Sequence, residues 1–358
     1  MRWELSEEQE LFRESFAGWL DRFAPPESTR HWADSADPSA FDGSFSAAGW
    51  SATGFPEEIG GVGGGLLELA LAAEELGRRA APSATWLASA LAIPLLPTDI
   101  STAALAGETV VALAVNASHA PDVASAFPVT ERGTISGEVT SVLAADRAAR
   151  LIVPVQSSEG TRLYLVDAHS AGVSITPRAL LDRTRSAADI RLTDVAGTLL
   201  DCDAQACLTT ASLRAAVLVA ADALGAMERM LDSAVAYSKT RHQFGVPIGS
   251  FQAVKHAAAT MLVSVEAGRS IAYFAATSVD EGHPDRAVHA AAAKAQVTAA
   301  AAAAADSALT LHGAIGYTWE HDLHLYYKRA KLDQHLFGSP SAWNDRIADL
   351  LPLLPAAS

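Results

Sequence analysis

The chain has 358 residues, of which 50% are hydrophobic and 19% are charged, a composition typical of a globular protein with a substantial core. Its formal net charge of −15 argues against broad nucleic-acid binding, because a phosphate backbone requires a surplus of Lys and Arg. The only cysteines, Cys202 and Cys207, are too few for a disulfide framework or a zinc site. No metal site is predicted.

Two features of the sequence predict a cytoplasmic protein. The N-terminal residues are acidic and lack the apolar core of a signal peptide. No stretch of about 20 residues is predicted to span a bilayer. The nearest approach, 289–311, contains Lys294, Gln296 and Asp306.

The first 105 residues are predicted to form a helical domain. Ser6 and the acidic residues after it form a helix-start signal. The apolar side chains that follow at helical spacing are Leu11, Phe12, Phe16, Trp19 and Leu20. After the breaker-rich residues 25–40, helices are predicted at 41–48, 66–79 and 83–96. Pro97 should end the last of them.

Glycine-rich residues 60–65 precede the second of these helices. A glycine-rich loop before a helix can hold a phosphate, but neither a Gly-Lys-Ser/Thr sequence nor a clear preceding strand is present. A close-packed turn leading into the helix is the favoured interpretation.

The sequence pattern of residues 106–203 predicts a small β-domain. Short β-branched runs separated by Gly, Asp and Ser predict half-buried strands. The runs are Val110–Val115, Leu151–Val155, Leu163–Val166, Gly172–Thr176 and Asp189–Leu192. Because no long helix lies between them, a small antiparallel sheet or barrel is expected.

Residues 204–358 return to a helical pattern. Long or medium helices are predicted at 211–240, 250–281, 284–311 and 322–336. The third is Ala-rich enough to let neighbouring backbones approach closely. The predicted fold is therefore α+β and mainly α: an N-terminal helical domain (1–105), a middle β-domain (106–203) and a C-terminal four-helix bundle (204–358).

Residues 237–256 should form a tight corner between two helices. Gly245 and Pro247 break the helical periodicity, and Ser250 offers a capping hydroxyl for the next helix. Arg241 and Phe244 would be held at this corner. Two interpretations stay open here: an anion-binding site, or an Arg facing the carbonyl end of a helix dipole beside a core Phe.

Four blocks of residues follow one another at characteristic separations. They are Leu-Ser-Glu-Glu-Gln near the start, Gly49-Trp50 with Pro56-Glu57 and Gly60-Gly61, Arg241-His-Gln-Phe-Gly with Phe251-Gln252, and His312-Gly313-Ala314-Ile315-Gly316-Tyr317-Thr318-Trp319-Glu320. Together they resemble the acyl-CoA dehydrogenases, and the resemblance runs nearly end to end. It implies a flavoenzyme with an N-terminal helical domain, a middle β-domain and a C-terminal four-helix bundle.

The resemblance also implies a chemistry and a cofactor. In that family a carboxylate removes the α-proton of an acyl-CoA thioester while the β-hydrogen leaves as hydride to the N5 atom of FAD. By resemblance, the residues that hold the adenylate and pyrophosphate part of an FAD across a subunit interface are Arg241, Gln243 or Phe244, Gln252, Gly313 and Gly316. Thr310 stands where the family has the Gln of Gln-x-x-Gly-Gly, and it is retained as a cofactor-binding candidate.

The sequence departs from the family where the catalytic base should be. Members with the base in the last bundle helix have Tyr-Glu-Gly-Thr, and here Phe337 occupies the place of the Glu. Members with the base in the first bundle helix have Glu-Arg-Leu, and Ala215 or a neighbour occupies that place. Asp222, two turns further along that helix, is a candidate for a displaced base. Glu228 and Glu320 are weaker candidates.

The middle region departs as well. Thr-Glu-Pro and Gly-Ser-Asp, which the family uses beside the flavin ring, are absent from residues 115–155, where Ser136-Gly137-Glu138-Val139 and 144–149 are only an echo. A preserved cofactor corner beside a lost base resembles the short, base-deficient chain of bacterial α2β2 acyl-CoA dehydrogenases of the steroid side-chain type. The expected partners are thus an acyl-CoA and a second, longer dehydrogenase chain.

Two other hypotheses stay open. The chain is alternatively a self-sufficient homo-oligomeric dehydrogenase with a displaced base, or a flavin-free scaffold or binding protein on the same fold.

Overall fold

The computed structural model describes residues 5–123, 127–128, 133–158 and 160–351. The chain forms two compact units. The bundle unit comprises Met1–His31, Leu66–Ala81 and Ala216–Ser358, and the sheet unit comprises Trp32–Gly65 and Pro82–Ala215. The predicted fold class, helical parts before and after a central β region, is confirmed. The boundaries 1–105, 106–203 and 204–358 stay a prediction.

The helices and strands alternate in blocks along the chain. In order, the helices are α1 (Glu7–Phe23), α2 (Pro26–Ser35), α3 (Ser39–Ala47), α4 (Leu66–Arg78), α5 (Ala84–Ala92), α6 (Thr98–Leu105), α7 (Ala204–Thr240), α8 (Gln252–Asp280), α9 (Arg286–His312), α10 (Leu323–His335) and α11 (Pro340–Leu350). The strands are β1 (Val111–Leu113), β2 (Phe127–Pro128), β3 (Ile135–Leu143), β4 (Arg150–Ser157), β5 (Gly160–Asp167), β6 (Val173–Arg178), β7 (Ala187–Val195), β8 (Thr198–Leu199), β9 (His242–Gln243) and β10 (Val246–Pro247).

Helix α1 begins as predicted. The Ser6 hydroxyl accepts a hydrogen bond from the Gln9 backbone N–H, and the Gln9 side chain accepts one from the Ser6 N–H, which completes a capping box. Phe16, Trp19 and Leu20 are buried, whereas Leu11 lies outside the apolar face and is exposed.

The N-terminus of α4 is occupied by a carboxylate from the same unit. Asp280, the last residue of α8, accepts hydrogen bonds from the Leu66 and Leu67 N–H groups at 2.9 and 3.2 Å. In the loop before α4, a side chain at Gly61 would lie 2.0 Å from the Phe55 carbonyl oxygen. The close-packed turn is thus confirmed, and the helix end that a phosphate would need already holds an anion.

Helices α4 and α7 cross at backbone contact. A Cβ atom at Gly77 would lie 2.0 Å from the Asp222 carbonyl oxygen, and one at Gly225 would lie 1.8 Å from the Glu74 carbonyl oxygen. Any side chain at either glycine would therefore force these helices apart.

Helix α7 corrects the expectation about membrane-spanning length. It is long and apolar enough to span a bilayer by length and composition, more so than residues 289–311, and 78% of its most apolar window is buried inside the protein. A buried core helix has the same composition, since both must be apolar on all sides.

Three helices were absent from the prediction. The first is α2, which lies in the breaker-rich residues 25–40; the others are α6, which follows Pro97, and α11. In α2 and α11 a proline occupies the first helical position, where its missing N–H costs nothing. The cap predicted at Ser250 is wrong: its hydroxyl donates to the Pro247 carbonyl, and Phe251 is the N-cap of α8.

The sheet unit contains two sheets rather than one antiparallel sheet. The first has the order β1-β4-β5-β8, with β2 also on β4, and both β1 and β2 run parallel to β4. The second is antiparallel, with the order β3-β7-β6. The prediction of antiparallel pairing fails for β1 and β2 because long connections to β4 permit a crossover. Strand β3 was missed because Gly137 and two register shifts interrupt its pattern.

Candidate functional site

The predicted corner between α7 and α8 is a tight β-hairpin. Strands β9 and β10 pair antiparallel, and Phe244 and Gly245 between them both have positive φ, 52° and 82°. Two successive left-handed residues form the turn that suits a two-residue hairpin. The Ile248 N–H closes the corner by donating to the Arg241 carbonyl oxygen at 2.8 Å.

The cation and the aromatic rings of this corner face solvent. Phe244 is 93% exposed and meets Phe251 edge to face, with 6.1 Å between ring centroids. Arg241 is exposed, and its guanidinium makes no ion pair or hydrogen bond with any residue that the structure describes. The alternative in which Phe244 belongs to the core is therefore wrong. A large apolar ring held outward at strained backbone indicates a surface made for a partner or ligand.

Two exposed amide side chains belong to the same corner. Gln243 and Gln252 are both exposed, and the Gln252 Nε2 atom lies 3.4 Å from His256 Nε2. Each amide offers two N–H donors beside the five of Arg241.

The turn after α9 lies at the same end of the bundle. Tyr237, in the last turn of α7, stacks on His312 with 4.8 Å between ring centroids. His312 is buried: its Nδ1 lies 2.8 Å from the Ala308 carbonyl oxygen and its Nε2 lies 3.2 Å from Ser233 Oγ. Burial lowers the pKa of His312. His312 is thus a satisfied core histidine that links α9 to α7.

The glycines of this turn differ in their surroundings. Gly313 has a φ of 63° and open space where a side chain would project, whereas a Cβ at Gly316 would lie 3.1 Å from His312, Leu309 and Leu323. Thr310 is exposed, and its hydroxyl donates to the Asp306 carbonyl oxygen. Gly313 leaves room for a ligand, while Gly316 serves packing.

These residues fit the adenine and diphosphate end of a dinucleotide. A free guanidinium and two exposed amides match phosphate oxygens, and an exposed aromatic pair offers a face for a heterocycle. The described part of the corner contains no carboxylate that would repel an anion. The sequence-predicted residues Arg241, Gln243, Phe244 and Gln252 are thus brought together in one hairpin and helix start.

The predicted base position after α10 is apolar and closed. Phe337 is 2% exposed, with a φ of 56°. Its carbonyl oxygen accepts a hydrogen bond from Trp343 Nε1 at 2.9 Å. The phenyl ring cannot accept a proton, and the buried turn holds it in place.

A buried lysine holds the same turn from the other side. Lys294 has no exposed surface, and its Nζ atom donates to the carbonyl oxygens of Asp333 and Gly338 at 3.0 and 2.8 Å. Burial lowers the pKa of Lys294 to about 7, against the opposing effect of the nearby Asp333 carboxylate. The sequence signal for this residue was a lysine in the middle of an Ala-rich helix.

Asp222 is committed to an ion pair. Both of its carboxylate oxygens lie 3.1 Å from the Arg329 NH1 atom, and the two side chains are 2% and 0% exposed. The NH2 atom of Arg329 donates to the Ala81 carbonyl oxygen at 2.8 Å. A carboxylate stabilised by a buried guanidinium is a weak base, which argues against Asp222 as a displaced base.

The other base candidates have equally unsuitable surroundings. Glu228 pairs with Arg78 at 2.5 Å and with Arg269 at 3.1 Å. Glu320 is exposed to solvent, so water is not excluded from its surroundings as a catalytic site requires. Neither is a better candidate than Asp222.

Sequence reasoning missed a buried network around Glu74. The Tyr273 hydroxyl donates to the Glu74 carboxylate at 2.6 Å, and Arg269 lies 3.5 Å away. Burial raises the pKa of Glu74 to about 7. Its position within a helix gave no signal, because the partners come from α8, almost 200 residues later.

In the sheet unit, the second base position is also apolar. Ala215 is fully buried. The neighbouring Arg214 lies over the Phe55 ring, 5.5 Å from its centroid, and its Nε atom donates to the Ala90 carbonyl oxygen. The residues predicted to echo a flavin wall, 136–139, lie in β3. Residues 124–126 and 129–132 of the same interval lie outside the described part of the chain.

The order of helices, β region and helical bundle indicates a class of flavoprotein, and the corner has the donors and exposed rings that a dinucleotide would need. Comparison with known families agrees with this class. The acyl-CoA dehydrogenase N-terminal domain matches residues 6–99, and the acyl-CoA dehydrogenase C-terminal domain matches residues 208–349.

Individual proteins give the same result. The acyl-CoA dehydrogenase IpdE2 of Mycobacterium tuberculosis is 33% identical over 93% of this chain and 94% of its own length. The Tcur3481-Tcur3483 steroid acyl-CoA dehydrogenase has a TM-score of 0.85 at 25% identity, covering 96% of this chain and 97% of that one. The ChsE4-ChsE5 complex from Mycobacterium tuberculosis also has a TM-score of 0.85, at 24% identity, with 99% and 100% covered.

The chain therefore belongs to the acyl-CoA dehydrogenase family. The predicted oxidoreductase class and its FAD cofactor are confirmed at this level.

Proposed function

We propose that this chain is the base-deficient subunit of an FAD-dependent acyl-CoA dehydrogenase and completes the FAD site of a second, longer chain. One contrast carries the proposal: Phe337 is buried where members of the family have a carboxylate, while Arg241 and its hairpin are exposed. Loss of the base removes proton abstraction from this chain. An outward-facing cation and aromatic pair fit a cofactor that another chain holds.

Each predicted cofactor residue has a defined task in this proposal. Arg241 pairs with the diphosphate through its planar fork, Gln243 and Gln252 donate to phosphate or adenine acceptors, and Phe244 offers its ring face. Gly313 leaves the turn after α9 open, and Thr310 and Gly316 support that turn. When bound, FAD supplies the hydride acceptor for desaturation of an acyl-CoA. The base comes from the partner chain.

The proposed assembly is an α2β2 heterotetramer in the cytoplasm. Two similar solved structures support it: the ChsE4-ChsE5 complex and the Tcur3481-Tcur3483 steroid acyl-CoA dehydrogenase each carry two protein names. Exposed apolar side chains of the corner and of the turn after α9 also supply area for an interface. They are Phe244, Val246, Tyr317 and Trp319.

Co-purification with the longer chain tests the proposal. The complex should be yellow and contain one FAD for every two chains, and acyl-CoA oxidation should require both chains. Stoichiometric FAD on this chain alone, with oxidation of an acyl-CoA, would instead establish the self-sufficient homo-oligomer. Absence of absorbance near 450 nm from the complex would favour the flavin-free scaffold.

Restoring a carboxylate provides a sharper measurement. If this chain fails to abstract the α-proton because its base is missing, Phe337→Glu in the otherwise unchanged complex should add α-proton exchange at this chain's own site, beside that of the partner chain. Phe337→Gln is the matched control, because it has the same shape without the basic oxygen pair. Equal exchange in both variants would contradict this account of the site.

A further inference from the structure

The turn between α8 and α9 brings three metal-ligating side chains together. His283, Asp285 and His289 each offer one ligand atom, and these atoms all lie within 4.8 Å of one another. Both histidines are partly buried, and Asp285 is exposed. Two imidazoles with one carboxylate form a common donor set for Zn²⁺ sites that keep a water as the fourth ligand.

His289 is already oriented for coordination. Its Nδ1 atom lies 2.7 Å from the Oγ atom of Ser278, which is 1% exposed, and its ring packs on Phe274 with 4.5 Å between centroids. A ring nitrogen held by a buried hydroxyl fixes the ring and leaves Nε2 for a metal.

His283 is held by the backbone of the turn. Its Nδ1 atom accepts a hydrogen bond from the Asp285 backbone N–H at 3.1 Å, which leaves Nε2 for a metal, and its ring centroid lies 5.0 Å from that of His289. Because the site has three protein ligands and Asp285 is exposed to solvent, a dissociation constant in the micromolar range is expected, weaker than for a closed four-ligand site.

We propose that His283, Asp285 and His289 form a surface site for a divalent transition metal of the Zn²⁺ type. The ion fastens the start of α9 to the end of α8. This place matters for the bundle unit because Asp280, three residues before His283, caps the N-terminus of α4. The role is structural, and it is independent of the flavin and of the proposed partner chain.

Zn²⁺ titration of the full chain tests the site, after removal of any affinity tag and treatment with a chelator. Calorimetry should show one equivalent bound in the micromolar range, and Zn²⁺ should raise the thermal unfolding midpoint. Asp285→Asn and His289→Ala should each weaken binding by at least about tenfold, and Ser278→Ala, which removes the orienting hydroxyl, by about tenfold. His119→Ala, an exposed histidine of the sheet unit, should change nothing.

Two results would overturn the proposal. One is a wild-type affinity equal to that of the His283→Ala/His289→Ala double variant. The other is equal weakening by His119→Ala, which would indicate scattered surface histidines. Asp285 is exposed, so Asp285→Asn keeps the test valid even where His289→Ala disturbs the packing on Phe274.

Discussion

Removing the Asp222 carboxylate should destabilise the chain strongly without removing a catalytic base. The Asp222→Ala variant removes the carboxylate that neutralises the Arg329 guanidinium, which is 0% exposed and still donates to the Ala81 carbonyl oxygen. Loss of one partner from such a buried pair costs about 3–5 kcal/mol. For 358 residues unfolding together, with an entropy of about 2.1 cal/mol/K per residue, this lowers the thermal midpoint by about 5 °C.

Thermal and denaturant unfolding of matched variants measure this effect. Arg329→Met alone should cost a similar amount, because it leaves the carboxylate of Asp222 buried. The double variant Asp222→Ala/Arg329→Met should cost clearly less than the sum of the two single changes. Glu138→Ala is the control, since its pair with Arg191 is more than two-thirds exposed on both sides and should contribute less than about 1 kcal/mol.

Catalysis in the assembled complex supplies the second measurement. Asp222→Asn keeps the shape of the side chain, so α-proton exchange should persist in whatever fraction of the complex stays folded. Abolished exchange with an unchanged unfolding midpoint would refute the ion-pair account and make Asp222 the displaced base.

Three further predictions concern the bundle unit. Arg241→Ala should reduce FAD retention by the complex, whereas the exposed Arg286→Ala should not; undiminished flavin content would remove Arg241 from the cofactor site. Burial raises the pKa of Glu74 to about 7, so the unfolded carboxyl ionises first and stability should fall as the pH rises from about 4.5 to 7. Glu74→Gln should flatten that part of the stability profile, and an unchanged slope would contradict the assignment. Lys294→Met deprives two buried carbonyl oxygens of their donor and should cost about 3 kcal/mol in denaturant unfolding; a loss below about 1 kcal/mol would show that the turn after α10 holds without it.

Local signals explain what could be predicted from the sequence. The capping box at Ser6 involves residues three positions apart; at the corner, Gly245 allows a positive φ and Pro247 fixes its own φ. The candidate cofactor residues cluster for the same reason, because Arg241 to Gln252 lie within one hairpin and the start of the next helix. A short sequence separation leaves few other arrangements.

Long-range pairing explains what could not. Asp222 and Arg329 are 107 positions apart, and Lys294 reaches a carbonyl oxygen 44 positions away. The helical patterns around these residues do not indicate which partner each buried charge will have. The parallel pairing of β1 with β4 was likewise hidden, because a strand's composition records its burial and not the direction of its neighbour.

The contact between α4 and α7 also sets the order in which the chain can assemble during synthesis. Gly77 lies directly against Asp222, so the surface that α4 buries does not exist until more than 140 further residues have left the ribosome. Residues 32–65 and 82–215 can gather into the sheet unit in the meantime. Until then α1 can pack on α4, but the face of α4 that meets α7 and α8 stays uncovered, and newly made apolar surface of this kind is prone to misassembly.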